Sequence, residues 1–302
     1  MRYGITILPQ DSWAEARRKW VGAEDLGFDH AWTYDHLSWR TLADEPWHAT
    51  TTTLAAAAVV TSRITLGTFV SSPNFRHPVP FAKEVATIDD ISGGRFLLGI
   101  GSGGTGFDAF VLGQSEYTPA ERHARFAEFV AGLDELLRHE APGSGGISFT
   151  GDWFTAVNAR MVGVPAHLPR VPFVIAANGP KGLGLVSTFG DGWVTTGKDG
   201  AVGDEWWSAV AVLVRRLEDA AVMAGRDPAT IDRYLSLDSG GGYSLSSLGA
   251  FDEAVGRAAE LGFTDVISHW PRADGIYAGS ESVLEEVAAR LQKPETNKGV
   301  DQ

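Results

Sequence analysis

Asp35 and His36 stand side by side in Tyr34-Asp35-His36-Leu37. A carboxylate next to an imidazole that titrates near neutrality suits proton transfer. By residue type alone the same pair also suits a turn, with Asp35 capping backbone amides and His36 an ordinary surface group. A second run, Thr68-Phe69-Val70-Ser71-Ser72-Pro73-Asn74-Phe75-Arg76-His77-Pro78, sets apolar groups beside two hydroxyls. These would meet the face and edge of a planar heterocycle, or else form a proline-stiffened loop. A third, Gly99-Ile100-Gly101-Ser102-Gly103-Gly104-Thr105-Gly106, lets backbone amides approach a phosphate, with Ser102 and Thr105 as donors. It matches a dinucleotide fingerprint only loosely, and no helix is expected directly after it, so a flexible linker is an equal reading. In Ala176-Ala177-Asn178-Gly179-Pro180-Lys181-Gly182 a strand, a glycine, a helix start and a lysine coincide. The free amides of that first helical turn, its dipole and Lys181 make an anion site. Asp238 with the glycines after it, and His269-Trp270-Pro271-Arg272, are lesser candidates.

Other chemistries fall away. The chain has no cysteine, which excludes disulfides, thiolate metal sites and a catalytic thiol. Its 8 histidines show no HxxxH or HxH spacing joined to carboxylates, so no metal site is expected. There is no GxSxG elbow. A net charge of −13 argues against a nucleic-acid partner, because phosphate backbones are bound through surplus Lys and Arg. No apolar stretch approaches a membrane span, and the most apolar helical piece, Leu54 to Val60, is short and alanine-rich. Met1 leads straight into a strand-like run without a signal-peptide core, so a soluble cytoplasmic protein is expected.

The elements that must position these groups alternate strictly. Strand-length apolar runs occur at Gly4–Leu8, His30–Thr33, Ile64–Val70, Phe96–Ile100, Phe173–Ala177, Gly192–Thr195, Tyr234–Leu237 and Asp265–Ser268. Most are continuous, as strands buried on both faces should be. Helical periodicity fills the gaps. Trp13, Ala16, Trp20 and Ala23 share one face; Phe126, Phe129, Val130, Leu133 and Leu137 a second; Trp206, Val210, Leu213 and Leu217 a third. Asp11-Ser12 and Thr118-Pro119 read as helix starts. Gly27 and Gly262, in Leu26-Gly27-Phe28-Asp29 and Leu261-Gly262-Phe263-Thr264, read as helix ends. Eight such units predict a closed (β/α)8 TIM barrel, with a doubly wound open sheet as the alternative. The barrel would occupy residues 1–293, with an insertion at about 141–171 between the fourth helix and the fifth strand, and a polar tail at 294–302. Within the insertion Ile147–Thr150 reads as hairpin-like and remote from the site. Trp32 and Trp193 read as core.

The motifs, taken in order, resemble the luciferase-like flavin and deazaflavin oxidoreductases. The resemblance rests on Leu26-Gly27-Phe28-Asp29, Asp35-His36, Leu66-Gly67-Thr68, Arg76-His77-Pro78, Ser92-Gly93-Gly94-Arg95, Leu98-Gly99-Ile100-Gly101, Gly179-Pro180 and Asp191-Gly192-Trp193. It is dense to about residue 197 and thin beyond. It implies a TIM barrel with an insertion before the fifth strand, binding FMN or coenzyme F420. The Asp-His pair is similar to the F420-dependent branch. There the resemblance implies Asp35 near the ring, His36 beside the hydride-bearing carbon, and a non-prolyl cis peptide at Phe69–Val70 behind the deazaflavin. It further implies Ser72 at the ring edge, Ser102 and Gly103 lining the cofactor, and Asn178, Gly179, Lys181 and Gly182 at its phosphate end. Gly104 stands where sugar-phosphate dehydrogenases of this branch have a glutamate, which argues against that substrate.

The resemblance thus implies hydride transfer between F420 and an organic substrate. His36 would exchange the proton, Asp35 would position the ring or tune His36, and Trp39, Trp47, Phe75 and Phe107 would wall the substrate pocket. The alternatives are an FMN-dependent monooxygenase and a flavin-binding protein without turnover. A homodimer packed through the second and third helices is implied too, and the alanine-rich stretch Thr53–Val60 suits close helix contact.

Overall fold

A computed structural model of the chain describes residues 1–104, 107–138, 143, 145–162 and 166–292. Thr105, the tail 294–302 and parts of the insertion lie outside the described residues.

In chain order the strands are β1 (Arg2–Thr6), β2 (His30–Thr33), β3 (Thr65–Thr68), β4 (Phe96–Ile100), β5 (Ile147–Thr150), β6 (Thr155–Ala159), β7 (Phe173–Ala176), β8 (Gly192–Thr195), β9 (Asp232–Ser236) and β10 (Asp265–His269). Eight of them close in the order β1-β10-β9-β8-β7-β4-β3-β2, every pair parallel. The doubly wound alternative is thereby set aside. β5 and β6 form a separate antiparallel hairpin.

The described helices are α1 (Trp13–Asp25), α2 (Thr50–Val60), α3 (Pro78–Ser92), α4 (Phe107–Val111), α5 (Pro119–Leu137), α6 (Pro180–Phe189), α7 (Gly203–Met223), α8 (Leu248–Glu260) and α9 (Glu281–Leu291). The expected faces of α5 and α7 are buried throughout. Each large apolar side chain taken from water there stabilises the fold by about 2 kcal/mol. On α1, Ala16, Trp20 and Ala23 are buried, but Trp13, in the first turn, is 42% exposed. Thr118 and Glu121 cap α5 reciprocally, with Pro119 at the first helical position. Gly27 and Gly262 follow α1 and α8 at φ +87° and +79°, the left-handed turn expected of them.

Several details differ from the sequence reading. β3, at Thr65–Thr68, is shorter than its apolar run, Ile64–Val70. β1 begins at Arg2 because its ladder to β10 starts with Arg2 opposite Asp265. β9 begins at Asp232 and ends at Ser236, where the chain tightens into a 3-10 turn, Leu237–Ser239. A five-residue helix, α4, follows the glycine run where none was expected, being too short to show a period. The insertion also reaches further than expected. Glu128 of α5 accepts from the backbone N–H groups of Trp153 and Phe154, and these two rings pack on Tyr117 and His77. The hairpin turn thus climbs toward the N-terminus of α5.

The N-terminal end of the barrel is tied by polar networks. Arg95 donates to the carbonyls of Ala58, Thr61 and Ile64. Glu24 accepts from the backbone N–H groups of Ser62, Arg63 and Ile64. Partial burial pushes the Glu24 carboxyl up, but the amides of Ile64, Arg63 and Ser62 outweigh it and hold the group down at about 2. A carboxyl depressed in the folded state adds stability above its unfolded pKa, and that stability is lost as pH falls through the folded value. Glu24→Gln should therefore cost about 1 kcal/mol at pH 7, with solvent screening keeping the effect this small. The gap to the parent should close between pH 4.5 and 2, as urea unfolding at stepped pH would show.

Candidate active site at the barrel mouth

Because the eight strands run parallel, the groups following β2, β3, β4, β7, β8, β9 and β10 share one rim, where barrel enzymes carry their chemistry. His36, the Phe69–Val70 bond and Lys181 all lie on it.

His36 sits two residues beyond Tyr34, with its side chain 15% exposed. Its Nδ1 is 2.7 Å from Asp108 Oδ2, and Asp108 Oδ1 accepts from the Leu37 N–H at 2.7 Å. Asp108 is 4% exposed and rides on α4. A carboxylate can only accept, so in the neutral ring Nδ1 carries the proton and Nε2 keeps its lone pair. Among the described residues Nε2 makes no hydrogen bond. Trp39 covers the imidazole, ring centroids 4.3 Å apart. Tyr34 packs against Trp39, Trp47 and Phe69 at 5.2, 6.4 and 6.3 Å.

Asp35 stands elsewhere in the network. Its side chain is 1% exposed, and both oxygens accept from Arg76, whose other nitrogen reaches Glu84 at 2.9 Å. The Arg76 guanidinium lies over the rings of Phe75 and Phe81. Asp35 therefore anchors the loop after β3, and the carboxylate in contact with the His36 ring is Asp108, not Asp35.

The Phe69–Val70 peptide is cis. The chain around it leaves no room for side chains at the end of β4: a Cβ on Gly99 would stand 1.8 Å from the Thr68 carbonyl oxygen, and one on Gly101, just past the strand, would stand 2.8 Å from Val70. Ser71 and Ser72 follow, buried, and the Ser71 hydroxyl has no partner among the described residues. Asn74 bridges to the next loop, its amide donating to the Gly104 carbonyl at 3.2 Å. Gly103, at φ +73°, lies so close that a Cβ would fall 2.6 Å from the Asn74 amide. Ser102 is half-buried beside it and Gly104 faces open space. Phe75 is half-buried, with the Arg76 guanidinium over its ring. The side chain of Phe107 lies outside the described residues.

After β7, Asn178 is locked by neighbours: it accepts from Thr195 Oγ1 and donates to the Gly197 carbonyl, both at 2.7 Å. Gly179 is the N-cap of α6 with no side-chain cap, and a Cβ there would meet nothing within 4 Å. Lys181 is exposed and Gly182 half-buried. Two residues of α5 join this rim. Arg122 donates to the Gly103 carbonyl at 3.3 Å, leaving its Nε buried without a partner among the described residues. His123 is pushed down by burial and by the nearby Lys181 charge. Trp193 donates to the Ala177 carbonyl, and Trp32 is fully buried, so both belong to the core.

Asp108 was invisible in the sequence, since it lies 72 residues from His36 in a segment without a motif. Among the described residues no cluster of three or more His, Asp or Glu could hold a metal ion, and no helix is long and apolar enough to cross a membrane.

Comparison with known proteins gives the family. The family model described as luciferase-like monooxygenase matches residues 1–238. The chain belongs to that family. The proteins it resembles have several activities. An F420-dependent hydroxymycolic acid dehydrogenase of Mycobacterium tuberculosis is 32% identical, covering 79% of this chain and 60% of that protein. An F420-dependent glucose-6-phosphate dehydrogenase of Beutenbergia cavernae is 29% identical over 91% of this chain and 92% of its own length. The chain thus spans little more than half of some curated relatives and nearly all of another. Among solved structures, an F420-dependent secondary alcohol dehydrogenase in complex with an F420-acetone adduct superposes with a TM-score of 0.77, covering 97% of this chain and 99% of that one. At 19% identity that likeness shows the fold alone.

Proposed function

We propose that this enzyme takes coenzyme F420 at the barrel mouth and exchanges a hydride with a small organic substrate. The observation that carries this reading is the His36–Asp108 pair, with Nε2 open, on the same rim as the Phe69–Val70 bond and the uncapped start of α6. The F420-dependent relatives support it.

The residues present suit a phosphate-tailed planar ring. The buried Ser71 hydroxyl lacks a partner among the described residues, Gly104 and Gly179 border open space, and the α6 amides and Lys181 offer an anion seat. Phe69, Val70, Ser72, Ser102 and Gly103 would border the ring, and Gly179, Lys181 and Gly182 its phosphate. Asn178 shapes that turn through Thr195 and Gly197. When bound, the deazaflavin supplies the carbon that gives or accepts the hydride. His36 Nε2 holds or releases the proton at the substrate oxygen, and Asp108 keeps the imidazole in the required tautomer. Trp39 and Trp47 exclude water beside it. Asp35 acts through Arg76 by fixing the loop that carries Ser72. A homodimer through α2 and α3 belongs to the same reading, and Val59 on α2 is 74% exposed.

Titrating the protein with F420 and with FMN, followed by ring fluorescence, tests the cofactor. F420 should bind and FMN should not. Tighter binding of FMN, with oxygen consumed alongside substrate, would replace this reading with the monooxygenase one, which the family description keeps open. Lys181→Ala should weaken F420 binding about 10-fold, and the deficit should shrink as salt is raised.

A further inference from the structure

The mouth carries a second imidazole–carboxylate pair, which the reading above leaves unused. Asp238 follows β9 and His269 ends β10; their side chains are 1% and 2% exposed. Asp238 Oδ2 accepts from the His269 backbone N–H and lies 2.8 Å from the ring Nδ1, while Oδ1 accepts from the Ser244 N–H. On the other side of the ring, His269 Nε2 is 2.9 Å from the Tyr34 hydroxyl, which is 3.3 Å from the hydroxyl of Tyr277. Tyr277 lies flat on His269, centroids 3.8 Å apart and planes 6° apart. Its loop is held in place, because Arg272 pairs with Glu45 and its N–H donates to the Tyr277 carbonyl. The Tyr34 ring stands edge-on to both His36 and His269.

This row of groups has a direction. Asp238 can only accept, so in the neutral ring Nδ1 carries the proton and Nε2 is bare. Tyr34 spends its one proton on Nε2 and can then only accept from Tyr277. Tyr277 spends its own proton on Tyr34. Burial pushes both phenols up, so both remain hydroxyls. The row ends at an oxygen that offers lone pairs and has no proton left to give.

We propose, resting on the hydride-transfer reading, that Tyr277 contacts the substrate and accepts a hydrogen bond from one of its hydroxyls. The substrate is then a vicinal diol or hydroxy-carbonyl compound. His36 serves the reacting oxygen and Tyr277 the neighbouring hydroxyl, with Tyr34 between the two stations. Tyr34, His269 and Asp238 are positioning residues that fix the polarity of Tyr277.

The test titrates the F420-loaded protein calorimetrically with trans-cyclohexane-1,2-diol and with cyclohexanol. The diol should bind about 10-fold more tightly, the worth of one neutral hydrogen bond. In Tyr277→Phe the two should bind alike, with F420 fluorescence quenching unchanged. Nitrogen-15 NMR of the parent should find His269 as the Nδ1–H tautomer. Equal binding of the two alcohols, binding of neither, a diol preference that survives Tyr277→Phe, or an Nε2–H tautomer would each overturn the inference. Failure of F420 itself to bind ends the hydride-transfer reading, and this inference with it. F420 binding without a diol preference ends this inference alone.

Discussion

Asp108→Asn is expected to lower kcat by about a hundredfold or more while leaving F420 affinity unchanged. The amide would turn an N–H toward His36 Nδ1, where the carboxylate now accepts at 2.7 Å. The imidazole would answer by moving its proton to Nε2, the nitrogen that faces the reactant. A general base held in the wrong tautomer loses most of its contribution, which is typically 10²- to 10⁴-fold for such groups. His36→Ala should lose a similar factor, and the double variant little more, because the two side chains act as one unit. Single-turnover reduction of bound F420, measured beside equilibrium binding, separates the rate effect from any loss of cofactor. A full-rate Asp108→Asn protein would remove the pair from the mechanism.

The second large effect concerns stability. Asp35→Ala should destabilise the fold by about 3 kcal/mol, because it leaves the Arg76 guanidinium without its main partner at a site where its side chain is only 11% exposed. Adding Arg76→Met should recover much of the loss, since the Met chain can still lie on Phe75 and Phe81 without a charge to satisfy. Urea unfolding of the parent, both single variants and the double variant measures the coupling. If Asp35→Ala proved as stable as the parent yet inactive, the carboxylate would act directly on the reactants, and its structural role here would be lost.

These two experiments separate the roles of Asp35 and His36, which are neighbours in the sequence. Asp35 and His36 read as one acid–base pair because adjacency along the chain was the only proximity available. At the end of a strand, however, successive side chains point to opposite sides. Asp35 turns toward Arg76 in the loop before α3, and His36 turns toward α4. The partner that matters to His36 comes from a five-residue helix with no period to reveal it. The barrel itself was legible, because strands buried on both faces leave continuous apolar runs and the helices between them keep a clear stripe. Several residues of the recognisable motifs do their work at the end remote from the mouth. Arg95 ties together the carbonyls there, Asp29 accepts from the Tyr3 N–H, and Asp191 accepts from the Phe173 N–H and pairs with Arg170. They mark the scaffold more than the chemistry. The row from Asp238 to Tyr277 stayed hidden for a further reason: its members follow β2 and β9, end β10 and lie in the loop beyond, and only ring closure makes β2 and β10 near neighbours, each paired with β1.

That closure has one more effect. A strand whose amides and carbonyls are satisfied on both sides cannot recruit another chain, and all eight barrel strands are in that condition. β5 and β6 pair only with each other, and Val157 on β6 is 74% exposed. Among the described residues, aggregation by strand addition therefore has one place to begin. A lysine at Val157 should keep destabilised variants of this enzyme in solution while leaving its mouth untouched.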